Sequence, residues 1–170
     1  MNGPPEGGHY FRMDGPSEGG HHLGGSSDAI VGTIAHRLFG LLGTAAPEVV
    51  RQRARVWLTA SLPIVHDATI DRALACATSL QSHPALSALL VSGRALYEVP
   101  FSLRVDPTTI VRGSIDCLIR LDDGRVVVVE LKTGARRPEH ESQLAIYVDA
   151  ARAIFPGRVV EGLLVYGGDA

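Results

Sequence analysis

The chain has 170 residues, 45% of them apolar, and a formal net charge of -2. That length holds one domain with an ordinary core, and the mild charge excludes a chain coated in basic residues for nucleic acid, so any such contact must come from local patches. No apolar run is long enough to span a membrane, and nothing at the start reads as a signal peptide. Cys76 and Cys117 lie far apart and form no CxxC pair; they point to a reducing, cytoplasmic setting and to two small buried hydrophobes.

Residues 1–28 are rich in Gly, Pro, Ser and His, and predict a disordered tail or linker that includes His9, His21 and His22. Ser27 or Asp28 can cap a first helix, along which Ile30, Ile34, Leu38 and Leu41 or Leu42 recur at helical spacing. His36 lies on it, and a lone helical histidine is more often a surface or core residue than a ligand. Gly43 ends this helix. Pro47 opens a second, ending by Pro63, with Arg51, Arg53 and Arg55 on its polar side. Asp67 is expected to cap a third helix to about Leu80, and Ser82 or His83 a short fourth to about Leu90.

From Arg94 the pattern alternates as a strand, with Pro100 marking an edge or bulge. Thr109–Leu121 and Arg125–Lys132 read as two further strands joined at Asp122-Asp123-Gly124. After a basic loop containing Arg136 and Arg137, Pro138 starts a helix that carries Gln143 and Tyr147. Phe155-Pro156-Gly157 ends it, and Val159–Tyr166 is a last strand. Residues 29–170 therefore read as one α/β domain: a mixed four-stranded sheet flanked by helices, preceded by a helical segment.

Within the hairpin, Glu130 and Lys132 are two residues apart on a strand that is otherwise apolar, so both project to one face. Charged side chains are rarely buried unless paired or bound to a metal. A two-residue turn would place Asp116 on the opposite face. A three-residue turn with Gly124 in the left-handed region pairs Asp116 with Glu130, and this register is the one expected. Two carboxylates so close repel unless a cation lies between them, and oxygen ligands favour Mg²⁺ or Mn²⁺. Gln143 and Tyr147, at i and i+4, share one helical face.

Five segments in order, Gly32-Thr33-Ile34-Ala35-His36-Arg37, Glu98-Val99-Pro100-Phe101, Gly113-Ser114-Ile115-Asp116, Glu130-Leu131-Lys132-Thr133-Gly134 and Gln143-Leu144-Ala145-Ile146-Tyr147, resemble the RecB-type nuclease domain of the PD-(D/E)xK superfamily. Such domains end the AddA and RecB helicase-nucleases. The resemblance implies the restriction-endonuclease-like core and a Mg²⁺- or Mn²⁺-dependent deoxyribonuclease, exo or endo, acting in DNA repair or recombination beside a helicase. It implies metal binding by His36, Asp116, Glu130 and the Leu131 carbonyl. Lys132 would activate the attacking water, with Gln143 and Tyr147 positioning Lys132 or the DNA backbone. Arg136 and Arg137 are candidate DNA contacts, and Glu98 a secondary partner or a surface residue. Relatives with an iron–sulfur cluster carry four cysteines; two at positions 76 and 117 argue against one. The alternative is a catalytically inactive DNA-binding or scaffolding module.

Overall fold

The computed structural model describes residues 9–12, 27–43, 45–61 and 66–167. In chain order the elements are β1 (His9–Arg12), α1 (Ser27–Leu42), α2 (Pro47–Ser61), α3 (Asp67–Gln81), α4 (Pro84–Val91), β2 (Gly93–Arg104), β3 (Thr109–Leu121), β4 (Val126–Lys132), α5 (Pro138–Ile154) and β5 (Val160–Tyr166). The sheet is mixed. β2–β3 and β3–β4 are antiparallel; β4–β5 is parallel, joined across α5. β1 adds a fifth strand, parallel to the start of β3 from His9↔Thr109 to Arg12↔Arg112. The expected tail is corrected at these four residues, where His-Tyr-Phe-Arg offers the ring-bearing residues that strands favour. His21 and His22 lie outside the described residues.

The sheet separates two cores. On one face α1, α3 and their neighbours bury Ile34, Leu38, Phe39, Ala73, Ala77 and Leu80 against Cys117, Ile119, Val127 and Val129. On the other, α5 buries Tyr147, Val148 and Ala151 against Phe101, Ile115, Leu118 and Val128. α1 presents the apolar spacing expected of it, and each fully buried Leu or Phe contributes roughly 1.5–3 kcal/mol. β2 is an edge strand, consistent with Pro100 in its middle.

One capping expectation, Asp67 for α3, is corrected, and the other is met by His83, one of the two residues expected for α4. α3 is capped by His66 and α4 by His83, neither through a side-chain bond. Asp67 becomes the first helical residue, where its charge suits the helix dipole, and it takes Arg55 Nε at 3.0 Å. With Arg51–Asp71 at 2.7 Å, this ties α2 to α3, so two of the three α2 arginines face carboxylates.

The hairpin register is the expected three-residue one. Cys117 pairs with Val129 and Arg120 with Val126; Leu121 N–H donates to the Arg125 carbonyl; Gly124 has φ +89°. Extended by one step, that register sets Asp116 opposite Glu130.

Candidate active site

The site lies where the sheet's alternation breaks. On β2, Ala95 and Tyr97 pack with the α1/α3 core, whereas Val99, Phe101 and Leu103 pack with the α5 core. On β3, Cys117 and Ile119 belong to the first core, and Val111 and Ile115 to the second. Residues two apart on a regular strand share a face. Both strands therefore change faces at one step, at Glu98 and Asp116, which the register sets opposite each other between Tyr97↔Cys117 and Val99↔Ile115. Glu98 absorbs the change with φ +49°, a conformation that costs a non-glycine residue about 1–2 kcal/mol. β4 keeps its alternation, so Glu130 and Lys132 face α5. The result is a row, Glu98–Asp116–Glu130, across three strands.

Asp116 and Glu130 are 4% and 2% exposed, the only buried charged residues among those described. Asp116 Oδ2 accepts the Leu131 N–H at 2.9 Å, just beyond the last paired residue of the hairpin. Its Oδ1 stands 3.3 Å from His36 Nδ1, without the alignment of a hydrogen bond. Glu130 Oε1 lies 2.6 Å from Lys132 Nζ; Oε2 is buried without a partner. Lys132 Nζ also donates to Gln143 Oε1 at 2.8 Å, and Gln143 Nε2 donates to the Tyr147 hydroxyl at 2.7 Å. Tyr147 is fully buried, so it stands behind Gln143 and away from any substrate.

Electrostatics follow from this crowding. Burial, then Asp116, pushes the Glu130 carboxyl up to about 7, despite Lys132. Burial opposes protonation of His36, but Asp116 and Glu130 outweigh it, and the ring ends above its ordinary value. Partial burial and Asp116 raise Glu98, whose Oε2 accepts from Ser114 Oγ at 3.2 Å. Burial and Asp116 push the Cys117 thiol up to about 12, which leaves it an inert core residue.

The apolar members of the same segments build the frame. A Cβ on Gly32 would stand 2.6 Å from Thr133 Oγ1, so glycine lets α1 approach the end of β4 and bring His36 over Asp116. Gly113, opposite Phe101, leaves room for the Phe101 ring, which packs edge-on against Tyr147 at 5.3 Å. A glycine on α1, one on β3 and an aromatic on β2 thus hold the charged residues in place.

The family model of the PD-(D/E)XK nuclease superfamily matches residues 13–167. The chain belongs to this superfamily. Nucleases of the superfamily generally use divalent metals such as Mg²⁺ or Mn²⁺. No curated protein matches the chain. Among solved structures, it is similar to a repair endonuclease from Pyrococcus abyssi at 25% identity and a TM-score of 0.36, covering 54% of this chain and 36% of that one. It is also similar to EndoMS in a complex with double-stranded DNA, at 26% identity and a TM-score of 0.31, covering 47% and 34%. The match covers about a third of the length of each of those chains.

The structure brings His36, Asp116, Glu130, Lys132 and Gln143 together. Among the described residues no three His, Cys, Asp or Glu side chains converge as a preformed metal cage. At this site two buried atoms lack a hydrogen-bond partner, His36 Nδ1 and Glu130 Oε2, and a cation would complete them; the carboxylates suit Mg²⁺ or Mn²⁺, whereas imidazole is a ligand of the softer divalent ions. Of the basic pair, Arg137 lines a cleft beside Lys132, whereas the Arg136 guanidinium lies 5.0 Å over the Tyr166 ring. Sequence reasoning missed Thr133, His140 and Tyr166. The first had a signal in the glycine that must face it; the other two had none, because their positions depend on how α5 meets β5.

Proposed function

We propose that the chain is a Mg²⁺- or Mn²⁺-dependent deoxyribonuclease of the RecB type, acting in DNA repair or recombination beside a helicase in the cytoplasm. The observation that carries the reading is the buried Asp116–Glu130 pair with Lys132 at its edge, an arrangement whose electrostatic cost a nuclease site explains and a structural core does not. His36, Asp116, Glu130 and the Leu131 carbonyl would hold the ion. When bound, it supplies positive charge that offsets both carboxylates and the phosphoryl group under attack.

The remaining steps belong to the chain's own side chains. Lys132 is 18% exposed at its side chain, open enough to meet substrate, and its ammonium stabilises charge gathering on the phosphate oxygens. Lys132 also orients the attacking water, which releases a proton to solvent as its oxygen bonds to phosphorus, while one P–O ester bond breaks and the departing oxygen takes up a proton from solvent. The relay Tyr147–Gln143–Lys132 holds the ammonium at that point and limits its rotamers.

Incubating the full chain with labelled linear and circular DNA, single- and double-stranded, tests the reading. Cleavage with Mg²⁺ or Mn²⁺ and none in EDTA is expected; resistance of circles alone identifies an exonuclease. A folded chain that binds DNA but cuts none of these substrates with either ion is instead the non-catalytic module.

A further inference from the structure

Beside the charged row a cleft of about 240 Å³ opens between the start of α1 and the start of α5. It is lined by Gly32, Thr33 and His36 from one side, and by Lys132, Thr133, Arg137 and His140 from the other. Among the described residues no acidic side chain lines it, although acids outnumber Lys and Arg by 18 to 16 over the chain. Four of its lining side chains, Lys132, Thr133, Arg137 and His140, carry O–H or N–H donors, whereas the Thr33 hydroxyl donates to the Ala29 carbonyl at 3.0 Å. His36, with a side chain 9% exposed, also lines the cleft, while its buried Nδ1 stands 3.3 Å from Asp116 Oδ1.

His140 is held in this wall from behind. Its Nδ1 lies 3.0 Å from the Tyr166 hydroxyl, and the two rings stand 5.8 Å apart. Tyr166 ends β5 and is braced on its ring by Arg136. With Nδ1 accepting the tyrosine O–H, the proton of neutral imidazole sits on Nε2, the free donor.

We propose that this cleft is a phosphate subsite for a nucleic-acid strand, in which Arg137 and the Nε2–H of His140 contact the phosphate next to the one cleaved, and Tyr166 is the positioning residue for His140. The proposal rests on the nuclease reading for the identity of the strand. A planar, five-donor guanidinium with a fixed imidazole donor suits the acceptor oxygens of a backbone phosphate, and a phosphate contact carries no sequence information.

Binding of a fluorescein-labelled 20-nucleotide single strand to the full chain, read by anisotropy in EDTA across a salt series, tests it. Each phosphate contact on a single strand contributes about 0.7 to the slope of log K against log salt. Arg137→Gln should flatten the slope by about that amount and weaken binding about equally for different sequences. His140→Ala and Tyr166→Phe should weaken binding severalfold, and Arg53→Gln on α2 should not. In cleavage, Arg137→Gln should raise KM and leave kcat near wild type. Strands with 5′-phosphate, 3′-phosphate or no terminal phosphate separate the sources: equal binding indicates an internal diester, and preference for one end indicates a terminal monoester. Wild-type slopes and KM in Arg137→Gln and His140→Ala overturn the subsite. A wild-type chain that binds through Arg137 yet never cleaves overturns only the nuclease reading.

Discussion

Replacing Glu130 by glutamine keeps the shape of a side chain that is 2% exposed and removes its charge. Burial and Asp116 lift that carboxyl from 4.5 to about 7. Ionising it in the folded state then costs about 3 kcal/mol relative to the unfolded chain. The sign follows directly. Below pH 4.5 the group is protonated in both states and costs nothing. Between 4.5 and 7 only the unfolded chain ionises, so stability falls; above 7 the full cost is in place. Glu130→Gln should therefore match wild type near pH 4.5 and exceed it by about 3 kcal/mol at pH 8, roughly 6–12 °C in Tm for a domain of this size. Denaturant unfolding of both proteins in EDTA at the two pH values measures the gap. A gap that is absent at pH 8, or equal at both pH values, refutes the electrostatic account. Adding Mn²⁺ at pH 8 should raise the wild-type midpoint more than that of Glu130→Gln, because only the wild type offers the second charged ligand.

The frame residues make separate predictions. Gly32→Ala drives a methyl group to 2.6 Å from Thr133 Oγ1 and should cost about 1–3 kcal/mol; adding Thr133→Ala should recover most of it in a double-mutant cycle, and simple additivity would show that the contact is not the cause. Phe101→Ala removes the ring between Gly113 and Tyr147 and should destabilise by about 3–5 kcal/mol in urea titration. Tyr147→Phe breaks the bond to Gln143 and should cost about 1 kcal/mol while lowering kcat more than KM, since it loosens Lys132 and touches no substrate. Glu98→Gly removes the strain of φ +49° and should leave stability equal or higher, whereas Glu98→Val should lower it by more than 1 kcal/mol.

Much of this arrangement was legible in the chain. Asp122-Asp123-Gly124 set the register through a glycine at positive φ, and that register sets Asp116 opposite Glu130. Gln143 and Tyr147 followed from helical spacing, and their order behind Lys132 follows from length: the longer lysine meets the amide first. Other features depended on contacts that no local pattern encodes. Asp67 satisfies Arg55 and does not cap α3, because α2 lies alongside. The change of faces at Glu98 and Asp116 is invisible in an alternation that continues unbroken in residue type. β1 pairs with β3 from a glycine-rich stretch whose composition alone predicts no strand. His36 reaches Asp116 because Gly32, one turn earlier, lets the helix settle onto Thr133.

In the proposed mechanism Asp116 and Glu130 hold a metal ion and Lys132 acts on the phosphate beside it. The most direct measurement is Mg²⁺-dependent cleavage of single- and double-stranded DNA by wild type, Asp116→Ala and Lys132→Ala, each first checked for a native unfolding transition. Cleavage by wild type and its loss in both folded variants are expected. Wild-type rates in either folded variant would contradict that mechanism.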